Sequence, residues 1–151
     1  MLIAMLVLWN FQVPAADMAD IMVTNARINE SPPGINVTAG YLVIHNHGNT
    51  TLHLQGVESG SFDRVELHES QVRDGIATMV RQDIITIPPA SSIELAPGGY
   101  HLMLFDPVGL LRSGDSISLT LRFSGDLLIT TNAIVVRPGN GHGGMDHSQH
   151  Y

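Results

Sequence analysis

At 151 residues the chain is long enough for one domain with a sizeable core. Fourteen Asp and Glu against seven Arg, with no Lys, give a net charge of -7 and no basic cluster for a nucleic acid or an anionic membrane surface. Cysteine is absent, which excludes disulfides, thiolate metal sites and a cysteine nucleophile, so a soft metal would have to be held by Met and His.

Residues 1–16 carry no charged side chain and include the apolar run Leu2-Ile3-Ala4-Met5-Leu6-Val7-Leu8-Trp9. That run is shorter than the roughly 20 residues needed to span a bilayer. It fits the apolar part of an export signal, with the small residues of Val13-Pro14-Ala15 at the cleavage end, although a positive leading region is missing. A signal peptide is expected over 1–15, a domain over 16–137 and a flexible tail over 138–151. An extracytoplasmic destination is expected, with a membrane tether if the first segment is retained.

Strands are expected at 21–29, 38–46, 53–57, 62–70, 76–81, 84–87, 91–95, 101–105, 116–123 and 127–136. Breakers such as Ser31-Pro32-Pro33-Gly34, Asp74-Gly75, Pro88-Pro89 and Pro97-Gly98-Gly99 separate them. Short strands at regular spacing with Gly and Pro punctuation predict an antiparallel β-sandwich or barrel. After Pro138 the sequence Gly139-Asn140-Gly141-His142-Gly143-Gly144-Met145-Asp146-His147-Ser148-Gln149-His150-Tyr151 has no means of building a core.

Two of the strands carry metal-donor side chains in a pattern. Alternation along 101–105 puts His101 and Met103 on one face and Leu102 and Leu104 on the other. Asp74-Gly75 suits a two-residue type I′ hairpin turn. Such a turn pairs Arg73 with Ile76 and Ser70 with Met79, making Met79 a diagonal neighbour of His68. Singly, a strand Met is usually gap-filling core and a strand His a surface residue. Two His/Met pairs on matching faces are harder to explain as coincidence. Meeting near one end of a sandwich, they would form an uncharged His2Met2 cluster suited to Cu(I), since thioether sulfur prefers Cu(I) to Cu(II). Without a Cys ligand a blue-copper electron-transfer site is excluded, and the donor set favours a carrier over an enzyme.

The spacing of His68, Met79, His101 and Met103 is similar to the His-X10-Met-X21-His-X-Met signature of the periplasmic PCu(A)C copper chaperones. Flanking words resemble that family too: Thr38-Ala39-Gly40-Tyr41-Leu42, Val65-Glu66-Leu67-His68-Glu69, Ile85-Thr86-Ile87-Pro88, Leu95 through Leu104, and Leu119-Thr120-Leu121-Arg122-Phe123. The resemblance covers roughly residues 21–136; the first strand lacks a tryptophan that the family would place near Asn25-Ala26-Arg27-Ile28. It implies an all-β, cupredoxin-like Greek-key barrel or sandwich that holds Cu(I) near its surface through these four side chains. It also implies delivery of copper to the binuclear CuA centre in cytochrome c oxidase subunit II, directly or through a thiol-based copper chaperone.

His142, Met145, His147 and His150 form a second candidate site, of the kind that takes Cu(II) in the His/Met-rich extensions of some relatives of that family. His45, His47 and His53 read as surface polar residues. A monomer that binds no nucleic acid is expected. The alternatives are a storage or resistance protein using the same copper site, a copper-dependent oxidoreductase, and an immunoglobulin-like module in which the four residues are incidental.

Overall fold

The computed structural model describes residues 20–138. The leader expected over 1–15 and the candidate tail site of His142, Met145, His147 and His150 lie outside the described residues. Ten strands succeed one another: β1 Ile21–Asn29, β2 Val37–Asn46, β3 Leu52–Glu58, β4 Phe62–Arg73, β5 Ile76–Gln82, β6 Ile85–Ile87, β7 Ser91–Leu95, β8 Tyr100–Pro107, β9 Ser116–Phe123 and β10 Leu128–Val136. All ten lie where the sequence predicts them. β4 departs most, running three residues beyond Ser70 to meet the Asp74-Gly75 turn.

The strands join in one path, β5-β4-β8-β2-β1-β10-β9-β3-β6, with β7 added on β2. β8 lies between β4 and β2, and β9 between β10 and β3, so chain-distant strands are neighbours, as expected of a Greek-key sandwich. The path is open, ending at β5 and β6. Alternation supplies the core: Leu42 and Ile44 of β2, Leu102 and Leu104 of β8, and Leu119 and Leu121 of β9 are all at most 1% exposed.

One pairing departs from the antiparallel expectation. β1 and β10 run parallel, Arg27 facing Ile134 and Asn29 facing Val136. Parallel neighbours need a long crossover, and here almost the whole domain supplies it. β1 also bulges between Thr24 and Arg27, where Asn25 takes a φ of 55°.

Two turns position the strands that carry the candidate donors. Asp74 and Gly75 both have positive φ, 53° and 77°, as a type I′ turn requires, and Arg73 pairs with Ile76 as predicted. A Cβ on Gly75 would meet nothing within 4 Å, so Gly75→Ala carries only the conformational cost. A loss of about 1–2 kcal/mol is expected in urea unfolding. The second turn is Ala96-Pro97-Gly98-Gly99, closed by the Gly99 amide donating to the Ala96 carbonyl at 3.1 Å, with Gly98 at φ 84°. Pro and a positive-φ Gly in those positions make a type II turn. It falls where β2 changes partner, from β8 at Gly40 to β7 at Leu42.

Candidate metal centre

β4 is paired on both sides, with β5 through the tight turn and with β8 through a long-range contact. The sequence predicts two His/Met strand pairs packing together. Instead, the strands are hydrogen-bonded neighbours in one sheet, because β8 returns antiparallel to β4. In that register His68 lies opposite His101, Glu66 opposite Met103 and Arg64 opposite Phe105. Met79 lies opposite Ser70, as predicted from the turn, and is therefore diagonal to His68. The four candidate donors share the face turned away from the leucine core, since Leu67, Leu102 and Leu104 occupy the alternate positions.

The donors differ in access. His101 is 4% exposed, the His68 side chain 14%, Met103 is half-buried and Met79 is 63% exposed. The two imidazole centroids are 6.0 Å apart with their planes inclined at 39°. Each ring uses one nitrogen for a protein partner. His68 Nε2 lies 2.9 Å from the Glu66 carboxylate, and His101 Nδ1 lies 3.0 Å from the Gly99 carbonyl. The other nitrogens, His68 Nδ1 and His101 Nε2, are buried with no hydrogen-bond partner among the described residues. A buried polar atom without a partner costs roughly 1–3 kcal/mol. A ring bonded to carboxylate or carbonyl on one nitrogen and bare on the other is the usual arrangement of a metal-ligating histidine. These two nitrogens are of a kind that could hold a cation, and the thioethers of Met79 and Met103 lie on the same sheet face. Among the described residues no three His, Cys, Asp or Glu side chains gather in a cation site.

Glu66, Arg64, Arg81 and Phe105 flank these donors. The Glu66 carboxylate accepts from Arg64 Nε at 2.7 Å and lies 3.5 Å from Arg81 Nη1, besides its bond with His68. Arg64 in turn stacks over the Phe105 ring, 4.2 Å from its centroid. The hydrogen bond with His68 is the largest influence holding the Glu66 carboxyl below its ordinary value of 4.5; Arg64 and Arg81 reinforce it and burial opposes it. A lowered carboxyl stabilises the fold above the ordinary value and loses that contribution as pH falls through its folded value. The stability advantage of wild type over Glu66→Gln should therefore hold at neutral pH and shrink below about 4.5, as read by urea unfolding across that range. The signal for Glu66 was available in the sequence, since two residues before His68 means the same strand face. The part played by the Gly99 carbonyl was not, because it depends on the turn geometry.

The remaining strand histidines are engaged elsewhere. His45 is bound on both nitrogens, by Thr24 Oγ1 at 2.9 Å and Ser92 Oγ at 2.8 Å, and stacks on His47 at 5.9 Å. His53 Nδ1 lies 3.2 Å from Thr86 Oγ1.

Comparison with known proteins agrees with this architecture. The family model described as "Putative lipoprotein LpqE-like" matches residues 21–135. "Putative lipoprotein Lxx21020" of Leifsonia xyli subsp. xyli is 33% identical over 114 residues, covering 75% of this chain and 68% of that protein. "Uncharacterized protein RP573" of Rickettsia prowazekii is 30% identical over 98 residues, 60% of this chain and 54% of that one, so the chain spans about half its length. Among solved structures, "Copper-bound PCuAC domain from PmoF2" is 27% identical with a TM-score of 0.67, covering 79% of this chain and 94% of that one. With the match spanning the sandwich from its first strand to its last, the chain belongs to the LpqE-like family and its fold is that of a PCuAC domain.

Proposed function

We propose that this chain is an extracytoplasmic Cu(I) carrier whose cargo is held by His68, Met79, His101 and Met103. The observation that carries the reading is the pair of buried ring nitrogens on facing strands, His68 Nδ1 and His101 Nε2, without a partner among the described residues, on the sheet face that also carries Met79 and Met103. Four neutral donors leave the Cu(I) complex cationic, and thiolates are stronger donors toward it. Transfer to a thiolate acceptor therefore runs downhill. Met79, the exposed donor on the edge strand β5, is the natural place for an incoming ligand to replace one of the four. The copper-bound PCuAC domain of similar fold supports the choice of metal, and the lipoprotein name of the relative supports a place outside the cytoplasm.

The acceptor in this proposal is the CuA site of cytochrome c oxidase subunit II, reached directly or through a thiol-based copper chaperone. The tail residues His142, Met145, His147 and His150 would take Cu(II), as a flexible imidazole-rich segment does. A Cu(I) competition titration tests the core site, using wild type, Met79→Ala and a chain ending at Pro138. One tight equivalent that survives the truncation and weakens with Met79→Ala is expected. Uptake that vanishes with the tail would overturn the assignment. Transfer from the loaded protein to an apo subunit II domain tests the destination; copper that stays put would favour storage.

A further inference from the structure

We propose that Glu66 is the positioning residue of the centre: its carboxylate fixes the tautomer and rotation of His68 so that Nδ1 is the nitrogen offered to the metal. This rests on the copper-carrier reading and adds a role that the four donors do not contain. His101 is set by backbone, through the Gly99 carbonyl, and donates through Nε2. Among the described residues His68 has no such backbone partner. Its Nε2 hydrogen bonds to Glu66 at 2.9 Å, which leaves the proton on Nε2 and the lone pair on Nδ1. The two rings would thus present different nitrogens from opposed strands.

Glu66 is suited to the task because it is itself held from several directions. Its side chain is 13% exposed. It accepts from Arg64, which is pinned over Phe105 of β8, and lies near Arg81 of β5, the strand that also carries Met79. One carboxylate therefore connects β4 to the site face of both neighbouring strands. Two guanidiniums against one carboxylate leave this cluster without net negative charge. It can orient the imidazole without adding an anionic grip on a cation that must later leave. Glu66 lies directly across from Met103 in the β4–β8 register, on the face that carries the donors.

The test reads the imidazole nitrogens of the metal-free protein by long-range proton–nitrogen NMR, above the ordinary histidine titration range. Wild type is expected to show His68 protonated on Nε2 and bare on Nδ1, and addition of Cu(I) should move the Nδ1 resonance. In Glu66→Ala the His68 signals should become those of mixed tautomers while His101 is unchanged, which also shows that the variant is folded. Its Cu(I) affinity should fall by about 10–100-fold, the usual effect of losing an outer partner of a ligating His. Glu66→Gln keeps an acceptor oxygen and should retain much of the tautomer preference with a smaller loss. Movement of His68 Nε2 by Cu(I) in wild type would overturn the proposal. So would a Glu66→Ala variant with wild-type tautomer and affinity. A wild type that takes up no Cu(I) yet shows the locked tautomer would overturn the carrier reading, and with it the metal half of this one.

Discussion

His101→Phe should abolish tight Cu(I) binding and leave the metal-free fold as stable as wild type, or more so. The phenyl ring is larger than the imidazole it replaces, so no cavity opens at a side chain that is 4% exposed, although the added bulk offsets part of the gain that follows. The imidazole Nε2 is buried without a partner, and removing such an atom relieves a cost of roughly 1–3 kcal/mol. The lost Nδ1 bond offsets part of that gain, although the Gly99 carbonyl keeps the Ser70 amide at 3.1 Å. Binding behaves in the opposite way. A ligand is removed outright, so the loss should exceed the 10–100-fold typical of outer-sphere changes. Met79→Ala should also weaken Cu(I) binding, with little effect on stability because that side chain is 63% exposed. Competition titration with a Cu(I) chelator and urea unfolding of the metal-free proteins read the two effects separately. A His101→Phe protein that binds Cu(I) within tenfold of wild type would remove His101 from the centre.

That division between site and fold was partly written in the sequence. Leucines at 102 and 104 against His101 and Met103 need only the two-residue period of a strand to be sorted onto opposite faces. Asp74-Gly75 fixed the β4–β5 register because a type I′ turn leaves no freedom in pairing, and Ser70 does lie opposite Met79. How the two His/Met pairs come together, as neighbours in one sheet, was not legible in the same way. It depends on β4 pairing with β8, across more than thirty residues, and no local period encodes a partner at that distance. The parallel β1–β10 pair is hidden for the same reason. Glu66 stood in plain view two residues before His68, but its role emerges only once Arg64, Arg81 and Met103 surround it.

The opposite face of the same strand gives the second large effect: Leu102→Ala should cost about 2–5 kcal/mol of stability. Leu102 is fully buried, with Leu67 of β4 opposite on one side and Gly40 of β2 on the other. Gly40 offers no side chain to fill the space, and the neighbouring strands are tied by backbone bonds, so collapse around the missing atoms is limited. The loss is a large share of the roughly 5–15 kcal/mol that holds a domain together. Urea unfolding should show a lower midpoint with an unchanged slope, since the exposed surface on unfolding hardly differs. Cu(I) affinity measured well below that midpoint should stay closer to wild type than that of His101→Phe, because the donor atoms are untouched. A cost under about 1 kcal/mol would be far below the range for a buried leucine. It would mean that Leu102 is not packed in the core, and the assignment of His101 and Met103 to the outer face would fail with it.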